Sequence, residues 1–172
     1  MPRHRRGPEK RYIVLCTFER RFARAVNSKM TNHERANDMQ TKPVLGLAEI
    51  DDILASARAE AQRHGWAVSI ALVDDGGHPL GFVRLDGASP SSAYIATEKA
   101  RTAALGRRES KLYEDMINGG RVAFLSAPIS ATLEGGVPVL VNGQCVGALG
   151  VSGVKSDQDA QVAKAGAARV AA

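Results

Sequence analysis

Aromatic residues make up only 5% of the 172 positions, which argues against the stacking platforms that read single-stranded RNA. Cysteine is scarcer. Cys16 and Cys145 are the whole set and share no CxxC spacing, so neither a disulfide framework nor a zinc site is expected. A reducing, cytoplasmic compartment is the plain expectation. No apolar run approaches the roughly 18 residues that cross a bilayer. No GxSxG, HExxH, Walker or dinucleotide fingerprint occurs. There is no internal repeat and no low-complexity linker.

The charge is present but lopsided. Residues 1–30 hold nine Lys/Arg and two Glu, whereas the rest of the chain holds 14 basic and 16 acidic residues. The alkaline pI of 9.5 therefore belongs to the first segment, and bulk charge does not make the remainder a nucleic-acid binder. Residues 1–40 read as a disordered or non-native extension. Their apolar run, 12–16, is shorter than the 7–15 residues of a signal-peptide core. Met30 and Met39 offer later starts. A single domain is expected over 41–172.

The stretch that organises this domain is residues 134–153, EGGVPVLVNGQCVGALGVSG. It reads as two strands joined at Asn142-Gly143, a dipeptide suited to the two positive-φ positions of a tight hairpin. Pro138 belongs on an edge strand. The span holds six glycines, more than turns require. Glycines in a strand allow either close approach of a ligand or plain tight packing.

Upstream, Leu47, Ile50, Ile53, Leu54, Ala57 and Ala61 recur at helical spacing, with Glu60 on the opposite, polar face. A helix is expected over 47–64. Residues 66–74 suit a buried strand and Asp74–His78 a turn. Residues 79–86 form a second strand, with Leu80, Phe82 and Arg84 on one face. A helix over about 93–105, capped by Ser91 or Ser92, carries an alanine stripe, with Lys99 and Thr102 beside it on the surface. A short helix at 110–118, a short strand at 129–133 and a final helix capped by Ser156 complete the order. Hairpin joins make the sheet mainly antiparallel, and helices flank it, giving an α+β layered domain.

Several side chains invite chemistry. Arg84 is either an arginine whose stem packs while its head reaches solvent, or an anion-binding group. Lys99 is either a solvated charge paired with Glu98 or Asp86, or a cation pointing into a cleft. His78 lies in the Gly-rich turn and is more accessible than His64, which suits a helix C-terminus. Asp74 and Asp75 face opposite ways and make no acid–base dyad. Cys145 reads as a small buried hydrophobe.

AVSIALVDDGGHPLGFVRLDGA, AYIATEKARTAAL and EGGVPVLVNGQCVGALGVSG followed by SDQDAQVAKAGA agree in order and spacing with the GlcG/HbpS-like family of haem-binding and related small proteins. The chain resembles that family over about residues 43–170. The resemblance implies a profilin-like sandwich, homo-oligomers, and haem or, in some members, corrinoid binding. Neither His64 nor His78 has a second ligand at metal spacing, so no dedicated metal site is expected. The near-neutral charge after residue 30 and the lack of a long apolar run make nucleic-acid and membrane partners unexpected. In this sequence the ligand set the resemblance suggests is His78, Arg84, Lys99, Thr102, Gly135 and Gly136, with cationic side chains and bare backbone enclosing one pocket. The alternative is a small enzyme or accessory protein acting on a short hydroxy or keto acid such as glycolate, with Arg84 and Lys99 holding the carboxylate.

Overall fold

The computed structural model describes residues 41–170. By its own contacts the chain divides into Met1–Thr41 and Lys42–Ala172. The readings of 1–40 lie outside the described residues. The elements are α1 (Leu47–Arg63), β1 (Ser69–Asp74), β2 (Pro79–Arg84), α2 (Pro90–Gly106), α3 (Lys111–Asn118), a 3₁₀ turn (Val122–Ser126), β3 (Gly136–Val141), β4 (Gln144–Ser152) and α4 (Ser156–Ala167). The strands form one antiparallel sheet in the order β2-β1-β4-β3. Among the described residues no helix is long and apolar enough to cross a membrane.

The two faces of the sheet are packed differently because their side chains differ in size. On one face Ile70, Leu72, Leu149 and Val151 meet Ile53 and Ala57 of α1 and Val162 and Ala163 of α4. On the other, Ala71, Val73 and Ala148 meet Ala96, Ala100, Ala103 and Ala104 of α2. Alanine on both sides lets α2 lie almost on the backbone of β4. A Cβ at Gly150 would overlap the Ala96 carbonyl oxygen. The six-glycine hairpin therefore serves helix–sheet contact at this position.

The β3–β4 turn has the expected geometry: Asn142 and Gly143 have φ of 50° and 75°, as a two-residue primed turn demands. Pro138 sits on β3, an edge strand, where a missing donor costs least.

Five readings of the sequence need correction. Glu60 is buried on α1 and not on its solvent face, because Arg63, His64 and Gln161 gather around its carboxylate. The register of β1 against β2 shifts between Leu72 and Val73. That bulge turns Leu80 into the α1–α4 core, while Phe82 and Arg84 stay opposite Ala71 and Ser69 on the α2 face. Residues 129–133 form no strand; a 3₁₀ turn precedes them, and Pro128 leaves the segment irregular. The N-caps are Ser89 for α2 and Lys155 for α4, with no side-chain hydroxyl capping either helix. Ser92 spends its hydroxyl on the Ser89 carbonyl and on Ser69 of β1.

Candidate functional site

The six singled-out residues fall into two groups on opposite edges of the sheet. Lys99, Gly135 and Gly136 gather beside β3, with Thr102 three residues along α2 from Lys99. His78 and Arg84 bracket β2 at the other edge. The single enclosed pocket expected from all six is not formed, since β1 and β4 separate the groups.

The β3 group is a buried seam. Lys99 is 3% exposed and so is not a surface charge paired with Glu98 or Asp86. Its Nζ donates to Asp159 Oδ2 at 2.9 Å and to the Val151 carbonyl at 3.0 Å. Lys99 belongs to α2 and Asp159 to the first turn of α4, on the other face of the sheet, so the pair joins the two helical layers. Gly135, at φ +120°, is bare where they meet: a Cβ there would lie 2.9 Å from Lys99 Nζ and 2.8 Å from the Val151 oxygen. Gly136 is pressed against Lys99 backbone and receives Ser110, whose hydroxyl accepts the Gly136 N–H at 2.8 Å. Burial raises the Asp159 carboxyl above its ordinary range, against the opposing pull of the Lys99 ammonium and the Val154 N–H. Thr102 is 1% exposed, and its Oγ1 has no partner among the described residues. The glycines expected to receive a ligand receive neighbouring protein atoms instead.

The β2 group is open. Arg84 is exposed at the end of its strand and makes no ion pair among the described residues. His78 has a side chain 79% exposed and is held by the turn that precedes β2. The Asp74 carboxylate accepts the backbone N–H groups of Gly76 and His78, both at 2.8 Å, and contacts His78 Nδ1 at 3.1 Å. Partial burial pushes the Asp74 carboxyl up, but the N–H groups of His78 and Gly76 and the imidazole outweigh it and hold it below its ordinary range. An ionised carboxylate beside Nδ1 places the ring proton there. In the neutral imidazole that leaves the lone pair on Nε2, and no hydrogen bond among the described residues occupies it.

This is the arrangement in which an imidazole serves as a metal ligand: one nitrogen tied to a carboxylate, the other available. Sequence reasoning singled out His78 but did not give Asp74 as its hydrogen-bond partner. The i, i+4 spacing across Asp-Asp-Gly-Gly-His was the legible signal. Asp75 turns away to pair with Lys42 at 2.5 Å. Cys145 is buried, donates to the Gly147 carbonyl at 3.3 Å, and has its thiol pushed up by burial. Among the described residues no three His, Cys, Asp or Glu side chains cluster as a multidentate metal site.

Fold and geometry together define a small α+β sandwich, built on a four-stranded antiparallel sheet, with one oriented, exposed histidine at the head of an edge strand. The chain belongs to the HbpS-like family: the family model described as "Haem degrading protein HbpS-like" matches residues 45–168. It is 57% identical over 114 residues to Protein GlcG of Escherichia coli (strain K12), covering 66% of this chain and 85% of that protein. A double mutant of Streptomyces reticuli HbpS has a similar structure, with a TM-score of 0.68 at 32% identity, covering 78% of this chain and 92% of that one. A PduOC–haem complex shares the fold, with a TM-score of 0.66 at 24% identity over 73% of this chain and 94% of that one.

Proposed function

We propose that this protein binds a haem-type tetrapyrrole through the Nε2 of His78, with Asp74 as the carboxylate that orients the imidazole, and that it does so as a homo-oligomer in a reducing, cytoplasmic setting with a sensory or storage role. The observation that carries this reading is the Asp74–His78 pair: a carboxylate on Nδ1 and an exposed, unengaged Nε2. The family description, which names haem, supports it. Haem supplies an iron that accepts a nitrogen ligand, and this chain's residues do the rest. Asp74 fixes the tautomer and the ring orientation, and its two backbone hydrogen bonds fix Asp74.

The reading on a short hydroxy acid loses its main support, because the Lys99 ammonium is committed to Asp159 and Val151 and lies across the sheet from Arg84.

Titration of the purified protein with haemin is expected to give a shifted Soret band. His78→Ala is expected to lose that band or change its position. Asp74→Asn, which leaves an amide where the anion stood, is expected to weaken binding by about 10–100-fold, the range for an outer-shell partner of a metal-ligating histidine. Cobalamin in the same titration should compete poorly. A His78→Ala protein with unaltered band and affinity would show that the iron ligand lies elsewhere.

A further inference from the structure

The His78 turn is braced from outside by α2. Arg101 Nε donates to the Gly77 carbonyl at 3.1 Å, and its Nη1 donates to Glu98 Oε1 at 2.8 Å. Gly77 has φ +82°, and a Cβ there would lie 3.3 Å from Arg101 Cγ, so the arginine stem packs directly on the turn. The guanidinium is held in place yet its side chain is still 44% exposed. With five N–H donors and two spent, it keeps donors for an anion beside the histidine. One helical turn on, Leu105 is 53% exposed on α2, an apolar side chain with no core to fill.

A tetrapyrrole dicarboxylate asks for three things from a protein surface: an axial nitrogen, apolar contact for the macrocycle and a cation for its propionates. His78 offers the first, Arg101, packed on Gly77 beside it, offers the third, and Leu105 lies one turn along α2 from Arg101. We infer that Arg101 is the propionate anchor of the tetrapyrrole held by His78. This rests on the haem reading given above and adds to it the residue that selects for the carboxylates. A planar, permanently charged fork suits a carboxylate, and its fixed position lowers the entropy lost on pairing. Glu98 shares the guanidinium but occupies only Nη1, so the anion is not displaced from every donor.

The test compares haemin with haemin dimethyl ester, in which both propionates are capped. The full chain is titrated with each, as wild type, Arg101→Ala, Arg101→Lys and His78→Ala. Wild type is expected to bind haemin about tenfold more tightly than the ester, the equivalent of one charge-assisted hydrogen bond at a partly exposed site. Arg101→Ala should lose that preference by weakening haemin binding about tenfold more than it weakens ester binding. Arg101→Lys should keep part of it. Arg101 also supports the Gly77 carbonyl, and a purely structural role would weaken both ligands equally. Equal weakening, or a preference for haemin that survives in Arg101→Ala, overturns the inference while His78-dependent binding in the wild type leaves the haem reading standing. Absence of any His78-dependent band in the wild type fails the haem reading itself.

Discussion

Lys99→Met is expected to destabilise the domain by about 3–5 kcal/mol, measured by chemical denaturation at neutral pH, because it leaves the Asp159 carboxylate buried without its cation. Both side chains of the pair are at most 4% exposed, so solvent cannot take the cation's place. A loss of that size is a large share of the roughly 5–15 kcal/mol that holds a typical domain together. The Lys99→Met/Asp159→Asn double variant should be more stable than Lys99→Met alone. The asparagine carries no charge, and its side-chain oxygen can still accept the Val154 N–H that Asp159 Oδ1 now accepts. The two substitutions should be non-additive by at least about 1 kcal/mol.

Acidification gives a second readout of the same pair. Burial already raises the Asp159 carboxyl, and Lys99 opposes that rise. Removing Lys99 removes the opposition, so the folded-state pKa climbs further above its unfolded value. The folded variant then binds more protons than the unfolded chain. Its stability should rise as pH falls through the folded pKa, and the deficit against wild type should narrow. Two single variants each costing less than about 1 kcal/mol, additive and insensitive to pH, would mean the pair behaves as an exposed one.

Gly150→Ala is the other severe change. The added methyl would overlap the Ala96 carbonyl oxygen and the Ala100 N, and would lie 3.0 Å from the Ala100 Cα. All three belong to the backbone of α2, which cannot swing aside as a side-chain tip can. The helix must lift from the sheet as a body, loosening the alanine layer and the reach of Lys99 together. The expected cost lies at or above the upper end of the ~1–3 kcal/mol for an overpacked core. Gly143→Asn is the matched control. Its site has open space at φ +75°, a left-handed conformation that asparagine tolerates better than most side chains, and its cost should stay at about 1 kcal/mol or less. Equal stabilities for the two variants, read from urea midpoints at unchanged m-values, would contradict the close packing of α2 on β4.

Local patterns in the chain were readable where local physics decides them. The 3.6-residue spacing of Ile50, Ile53, Ala57 and Ala61 specifies a helix and its buried face, and the structure buries those four. Asn142-Gly143 specifies its turn because few other pairs accept two positive φ values. The alanine run of α2 announced a close contact, although not that its partner would be Gly150. The pattern of 129–133 misled because a five-residue run of suitable type does not by itself make a strand, and after Pro128 this one pairs with no strand of the sheet.

What the sequence by itself determined was the element order, the hairpin and the antiparallel sandwich, since these follow from periodicity and turn chemistry within a few residues. Tertiary structure alone decided the fate of the charged groups. Lys99 is buried because Asp159, 60 positions away, and the bare Cα of Gly135 leave room for a desolvated pair there. One bulge opposite Leu72 sends Leu80 into the core while Arg84 stays at the surface. Burial and ion pairing depend on which distant segments meet, and no spacing along a single chain encodes that meeting.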